Sequence, residues 1–206
     1  MKQTSLTRVF SLLLIGALFT ANAQATQDHE DLLTLFADWR SFETPPMLNG
    51  APDYTTAGFS ARHGSFQALR ERLNRFNIEN WSIEQQVDWH LVRAEMNGYD
   101  FNQRVLKPWA RDPAFYQSIW LYRSDVPAHE GPTHHAVVEL WTYDFPLNSA
   151  AQHKLAAELA VIPPLMAQAR RNLTGNARDL WVTGIRDIRS QHEALVALEQ
   201  RLDDAA

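Results

Sequence analysis

The densest group of side chains that can bind a metal or transfer a proton lies between residues 129 and 135. Three imidazoles and one carboxylate occur there, in the sequence His129-Glu130-Gly131-Pro132-Thr133-His134-His135. Zinc and other divalent first-row metals prefer donors of these types. The spacing differs from the zincin pattern H-E-x-x-H, whose histidines share one helix face, because residue 133 is a threonine. The proline at 132 also prevents a continuous helix across the cluster.

Two interpretations of this cluster stay open. A loop that folds His129 back towards His134 or His135 would form a metal site. The favoured interpretation is a loop whose histidines cap the following helix or form hydrogen bonds with neighbouring carbonyls. Metal binding by His129, Glu130, His134 and His135 is therefore left unassigned, and no cofactor is predicted in this chain.

Other polar residues with chemical potential fall on predicted helices. The pairs at 29–30 and 192–193 begin with His-Glu but lack the second histidine of the zincin pattern. His192 falls on an apolar stripe, which favours a half-buried histidine with satisfied hydrogen bonds over a metal ligand. His90 and Glu95 lie near Asp88 on one helix. We interpret them as solvated or core-edge residues in preference to a buried acid–base pair.

Motifs of the common hydrolases and nucleotide-binding proteins are missing from the sequence. It contains no cysteine, no G-x-S-x-G elbow and no glycine-rich phosphate loop. We therefore predict no catalytic residue. Trp109, Trp120 and Trp141 surround the irregular middle of the chain and could line a groove for a peptide or a sugar, although most tryptophans are expected in the core.

Residues 1–25 have the features of a secretory signal peptide, with cleavage favoured after Ala25 and Ala23 as the other candidate. Lys2 and Arg8 give a positive start, and Val9–Phe19 is the apolar run. Ala23 and Ala25 are the small residues of the cleavage site. The run is about half of the roughly 20 residues that cross a bilayer. We therefore expect residues 26–206 to form a single exported helical domain without a stable membrane anchor, with a Gram-negative periplasm as the favoured location.

Charge and length narrow the classes of partner. Removal of residues 1–25 takes away Lys2 and Arg8 but no acidic residue, so the net charge of −5 becomes −7. An acidic chain does not suit DNA or anionic lipid, and no nucleic-acid partner is predicted. The length supports one domain with a sizeable core, which packing must stabilise without disulfides.

Apolar residues recur at helical spacing after residue 25, and no segment alternates as a strand would. The predicted fold is all-α, an irregular multi-helix bundle with a loop-rich middle segment at 109–132. The predicted helices cover about 28–43, 55–76, 82–104, 133–141, 149–161, 163–171 and 178–203.

Local signals predict several helix ends and faces. Ser82 and Gln85 form a capping box, and Ser149 with Gln152 repeats the pattern. The third helix has two apolar stripes, which predicts burial on more than one side at the centre of the domain. Gly175 is predicted to be a left-handed helix cap. The apolar stripe of the last helix is expected to be partly exposed and to support weak self-association.

Four segments resemble a bacterial family known as domain of unknown function 885. They are LFADWR at 35–40, VDWHLVRAEMN at 87–97, WARDPAFY at 109–116 and NLTGNARDLW at 172–181. The resemblance runs from about residue 30 to the end and implies an exported, all-helical protein similar to zinc metallopeptidases. The family's metal motif, H-E-x-x-P-G-H, lies in its C-terminal half. The cluster at 129–135 differs from it in the places of proline and glycine, so no catalytic residue is carried over.

The leading hypothesis is that the chain is the N-terminal, non-catalytic helical portion of an exported zinc-dependent peptidase-like hydrolase. In that hypothesis zinc belongs to a full-length relative, and the helices supply one wall of the substrate cleft. The last helix, with nothing after it, favours a truncated product over a lineage that keeps only the helical half. The alternative is a free-standing periplasmic binding or interaction protein for a peptide or another protein. A third hypothesis is a small metalloenzyme built on residues 129–135.

The isolated chain is expected to hydrolyse no peptide, because its sequence contains neither a complete zincin signature nor another nucleophile constellation. The measurement is turnover of a mixed peptide library with added zinc, on the chain itself and on the variants His129→Ala and Glu130→Ala. Turnover that these substitutions abolish would contradict the non-catalytic interpretation and favour the third hypothesis.

Overall fold

A computed structural model describes residues 27–123 and 136–204 of the chain. The described residues divide into two compact units. Unit 1 consists of 27–42 and Gly64–Asn97, and unit 2 consists of Glu43–His63, 98–123 and 136–204. The predicted all-α class is confirmed, because helices dominate and each strand of the described chain is two residues long. The single domain at 26–206 stays a prediction.

Seven α-helices occur in the described residues, and short elements connect them. The helices are α1 (27–43), α2 (Thr56–Asn74), α3 (Ile83–Phe101), α4 (Pro108–Arg111), α5 (Ser149–Leu159), α6 (Ile162–Asn172) and α7 (Arg178–Asp203). A π-helical turn occupies Asn102–Leu106, and 3-10 turns occupy Pro113–Tyr116 and Leu140–Thr142. The strands are β1 (Met47–Leu48), antiparallel to β2 (Ala51–Pro52), and β3 (Ile119–Trp120), parallel to β4 (Val138–Glu139).

The core of unit 1 lies between α1, the second half of α2 and α3. Its buried side chains are Leu32, Leu35, Trp39, Phe66, Leu69, Leu73, Val92 and Met96. They recur at three- and four-residue spacing on their helices, as the sequence predicts. The buried ring of Trp39 lies 6.1 Å from that of Phe66, and its indole N–H donates to Glu95 Oε2 at 3.1 Å. The indole therefore packs in the core and still satisfies its polar atom.

α3 starts as predicted but does not have the predicted burial. Ser82 N donates to Gln85 Oε1 at 3.1 Å, and Gln85 N donates to Ser82 Oγ at 3.3 Å, so the capping box is confirmed. The prediction of two buried stripes is wrong, because Ile83 is 77% exposed and Val87 and Leu91 are also exposed. Apolar spacing indicates that a segment is helical, but it does not tell how many of its faces meet a neighbour.

The core of unit 2 depends on polar contacts between α6 and the segment that leaves the β1–β2 hairpin. Tyr54 N donates to Gln168 Oε1 at 2.6 Å, and Gln168 Nε2 donates to Pro52 O at 3.0 Å. One helical turn later, Asn172 Nδ2 donates to Tyr54 O at 2.9 Å. The hairpin turn places Asn49 and Gly50 at φ values of 54° and 90°, a conformation that suits an Asn-Gly pair.

Three local predictions in unit 2 are wrong. The helix at 133–141 is absent from its described part, where β4 and a 3-10 turn occur. Asn148, not Ser149, caps α5, since its side chain accepts from Ala151 N at 2.9 Å. Gly175 is not left-handed. A Cβ there would lie 2.9 Å from Ala110 O, which already accepts from Gly175 N at 2.8 Å, so close backbone approach explains the glycine.

α7 packs on the 3-10 turn Pro113–Tyr116 through a residue with no side chain. A Cβ at Gly184 would lie 2.7 Å from Ala114 N and 2.9 Å from Pro113 Cβ. The rest of the buried face is Gln191, Ala194 and Leu198. Of the predicted apolar stripe, Leu198 is buried and Ile185 is 47% exposed, as expected for a stripe that is only partly covered.

Two glycine-to-alanine substitutions in helices of unit 2 are expected to change stability in opposite directions. Gly184→Ala should lower the free energy of unfolding by about 1–3 kcal/mol, because the methyl group clashes with backbone. Gly98→Ala, with nothing within 4 Å of the new Cβ, should raise it by about 0.5–1 kcal/mol through helix propensity. Urea denaturation of both variants measures the difference, and a Gly184→Ala variant as stable as the unsubstituted chain would contradict the close contact at Gly184.

Candidate functional site

A cleft of about 300 Å³ lies in unit 2 between the segment 117–123 and one turn of α7. The segment contributes Gln117, Ile119, Trp120, Leu121, Tyr122 and Arg123, and α7 contributes Ser190, Gln191 and Ala194. We call it the aromatic cleft. Its size is at the lower end of the range of small-molecule sites, about 300–1,000 Å³.

The 3-10 turn before this segment is fixed by two side chains. The carboxylate of Asp112 accepts from Ala114 N at 2.9 Å and caps the turn, and Pro113 pre-sets its first φ angle. Burial raises the pKa of Asp112 more than this hydrogen bond lowers it. At the other end, Tyr116 is buried and donates to Trp109 O at 2.7 Å. The backbone that leads into the aromatic cleft is therefore fixed by hydrogen bonds at both ends of the 3-10 turn.

Gln191 is the best-fixed polar group of the aromatic cleft. The residue is only 4% exposed, and its Oε1 accepts from Ser118 N at 2.5 Å and from Ile119 N at 3.1 Å. Two backbone donors require an oxygen at that place, so the amide orientation follows from the network. Within residues 27–123 and 136–204, no acceptor pairs with Nε2 of Gln191. Because Oε1 is used inside the protein, Nε2 is the donor that this lining residue keeps.

Exposed aromatic side chains and a cation complete the aromatic cleft. Trp120 is 40% exposed and Tyr122 is 81% exposed, and both precede Arg123. Exposed rings offer flat apolar faces to a ligand side chain or a peptide plane. A guanidinium offers a planar pair of donors to a carboxylate. The aromatic cleft can therefore bind a ligand that combines apolar groups with carbonyl or carboxylate acceptors.

The aromatic cleft agrees in part with the groove expected from the tryptophans. Trp120 lines it, Trp141 is exposed outside it, and Trp109 is a core residue. No role for Gln191 is predicted from the sequence. The available signal was its place on the apolar stripe of α7, three residues after Ile188 and four before Leu195.

The sequence-predicted cluster of metal-binding side chains lies outside the described residues. His129, Glu130, His134 and His135 belong to the segment 124–135, which connects β3 to β4 in the sequence. Among residues 27–123 and 136–204, no group of three or more His, Cys, Asp or Glu side chains is arranged to hold a metal ion.

The remaining candidates for acid–base chemistry fall into different places. Asp88 pairs with His29, whose Nε2 lies 2.9 Å from Asp88 Oδ2. His90 is exposed, and Glu95 accepts from Arg40 Nη2 at 2.8 Å, so the interpretation as solvated and core-edge residues is confirmed. The half-buried position predicted for His192 is wrong, since this residue is exposed. The turn of α7 brings Gln191 to the buried face instead.

Comparisons of this chain with protein-family models, with curated proteins and with solved structures found no match.

Replacing the amide of Gln191 with an isosteric apolar side chain is expected to destabilise unit 2. Gln191→Met leaves the buried N–H groups of Ser118 and Ile119 without acceptors, which should lower the free energy of unfolding by at least about 2 kcal/mol. Gln200→Met on the exposed face of α7 is the matched control and should change it by less than about 0.5 kcal/mol. Equal effects in urea denaturation would show that Gln191 does not hold the cleft segment.

Proposed function

We propose that this chain is the N-terminal helical, non-catalytic portion of an exported zinc-dependent peptidase-like hydrolase, and that its aromatic cleft holds a segment of peptide. The resemblance of four sequence segments to an exported, zinc-metallopeptidase-like family supports the first part. The all-α fold agrees with the architecture that the resemblance implies. The aromatic cleft supports the second part and carries the proposal.

A peptide matches the chemistry of the aromatic cleft. The fixed Nε2 of Gln191 is a donor for a main-chain carbonyl, and its orientation costs no entropy on binding because Ser118 and Ile119 already hold the amide. The rings of Trp120 and Tyr122 suit an apolar or aromatic side chain. Arg123 suits a carboxylate, either of an acidic side chain or of a chain terminus.

Export is proposed from the sequence features of residues 1–25, which lie outside the described residues. Among the helices of the described chain, none is long and apolar enough to cross a membrane. The favoured location is a Gram-negative periplasm, where peptides derived from envelope and exported proteins would be candidate ligands.

The alternative proposal is a free-standing binding or interaction protein without enzymatic activity. One observation favours it, namely that α7 closes a core cluster inside unit 2. Ala194 and Leu198 of α7 are buried together with Leu155 of α5 and Ile162 of α6. Weak self-association through the exposed residues of α7 stays a prediction under both proposals.

Two equally exposed tryptophans allow a matched test of peptide binding. Trp120 is 40% exposed in the aromatic cleft, and Trp141 is 41% exposed outside it. We expect short peptides with apolar side chains and unblocked carboxyl termini to shift the indole N–H resonance of Trp120 saturably. Trp120→Ala should weaken binding about tenfold, as for a central aromatic contact.

The control variant Trp141→Ala should bind these peptides with unchanged affinity. Peptide binding that is absent from the chain, or that survives Trp120→Ala at full strength, would refute the assignment of the aromatic cleft. Binding that persists equally with blocked carboxyl termini would remove Arg123 from the proposed contacts and leave the rings and Gln191.

A further inference from the structure

Two asparagine–glycine pairs of the chain have the same sequence but different backbone conformations. Asn49-Gly50 forms the turn between β1 and β2, where the two residues have φ values of 54° and 90°. Asn97-Gly98 lies inside α3, the helix Ile83–Phe101. All four residues are exposed. The two pairs therefore form a matched set in which only the backbone differs.

An asparagine that precedes glycine can lose its side-chain amide without an enzyme. The main-chain nitrogen of the glycine attacks Cγ of the asparagine and forms a C–N bond, which closes a succinimide ring. The bond from Cγ to Nδ2 breaks, and the proton of the main-chain nitrogen leaves with Nδ2 as ammonia. Water then opens the ring at either carbonyl and yields aspartate or isoaspartate. Glycine permits the attack because it has no Cβ to hinder the approach.

Both reacting groups of the hairpin turn are unengaged. Leu48 pairs with Ala51 across the turn, and among the described residues no acceptor pairs with the N–H of Gly50 between them. In the same part of the chain, the side-chain amide of Asn49 has no hydrogen-bond partner. Rotation at the tip of the turn therefore breaks no hydrogen bond of either group, and glycine has access to a wide range of φ values.

α3 keeps the second pair away from the reactive geometry. In an α-helix the N–H of Gly98 donates to the carbonyl of Ala94, four residues earlier. The helix continues to Phe101 and is followed directly by the π-helical turn Asn102–Leu106, so the pair does not lie at a free helix end. Attack by the nitrogen of Gly98 requires local opening of this helix. Such opening costs more inside a helix than at the tip of a turn.

We propose that Asn49 is a site of spontaneous deamidation, with water as the co-reactant, and that isoaspartate formed there disrupts the β1–β2 hairpin. In isoaspartate the main chain runs through the former side chain and gains an extra carbon atom before Gly50. A two-residue turn of this type requires a fixed backbone twist and length. The lengthened turn therefore no longer matches the register of Leu48 with Ala51.

The position of the hairpin carries this change into the core of unit 2. Gly50 lies against α6, because a Cβ at this residue would be 3.6 Å from Pro164 Cγ. The segment 52–54 follows directly after the turn, and Gln168 of α6 bonds to Pro52 O and Tyr54 N. A turn of altered length displaces the hairpin relative to these bonds. Unit 2 with isoaspartate at this position is therefore less stable.

The test is ageing of the purified full chain at mildly alkaline pH and physiological temperature, followed by peptide mapping with mass spectrometry. Ageing in water enriched in heavy oxygen labels the carboxylates that form during the experiment. We expect deamidation at Asn49 to be at least about tenfold faster than at Asn97, because modest differences in local opening free energy already correspond to factors of ten. Equal rates at the two sites, or no product at Asn49 in the folded chain, overturn the proposal.

Unfolding the chain is the control for the role of the backbone. In concentrated urea the turn and the helix are both lost, so the two pairs should react at similar rates. A preference for Asn49 that persists in urea would mean that neighbouring residues select this site and would overturn the structural argument.

The variant Asn49→Asp separates the charge of the product from the lengthened main chain. Aspartate suits the same turn, so this variant should keep the urea midpoint of the fresh chain. The aged chain that contains isoaspartate should have a lower midpoint than both. Equal midpoints of the aged and fresh chains, with isoaspartate present, would overturn the proposed disruption of the hairpin.

Discussion

Unit 2 depends on two buried glutamines that take over the hydrogen bonds of a sheet. Its extended segments at 52–54 and 118–119 have buried backbone groups but only two-residue strands beside them. Gln168 bonds to one segment through both its oxygen and its nitrogen, and Gln191 accepts from two successive N–H groups of the other. Without these amides, buried donors would each cost about 1–3 kcal/mol. The glutamines make irregular backbone compatible with a helical core.

These glutamines also explain where apolar patterning fails. A pattern of polar and apolar residues assigns glutamine to the surface, although Gln168 and Gln191 are 2% and 4% exposed. The same pattern does not identify Gly184, because this residue allows a close backbone contact by having no side chain. Such positions are determined by backbone from distant parts of the sequence, and no local signal encodes that backbone. The place of Gln191 on the apolar stripe of α7 indicates burial but not which backbone groups it contacts, so only Trp120 points to the aromatic cleft.

Local sequence signals predicted most helices well. The capping box of Ser82 and Gln85 and the apolar stripe of α1 act within one or two turns, so nearby residues contain the necessary information. The stripe predicted for α7 agrees with its buried face only at Leu198. Whether the stripe of Ile83, Val87 and Leu91 is buried depends instead on tertiary packing. Its apolar spacing equals that of the buried face of α3, and only the positions of the neighbouring helices distinguish the two. For the same reason, Asp88 meets His29 from α1 and not its helical neighbour His90.

The Gln191 amide of the aromatic cleft is restricted by its contacts inside the protein. A polar group that binds a ligand is more effective when its conformation is restricted beforehand, since binding then costs less side-chain entropy. In the aromatic cleft, one end of an amide is used inside the core and the other end remains for the ligand. A single carboxamide of α7 can therefore supply both the anchor, through its oxygen, and a donor, through its nitrogen.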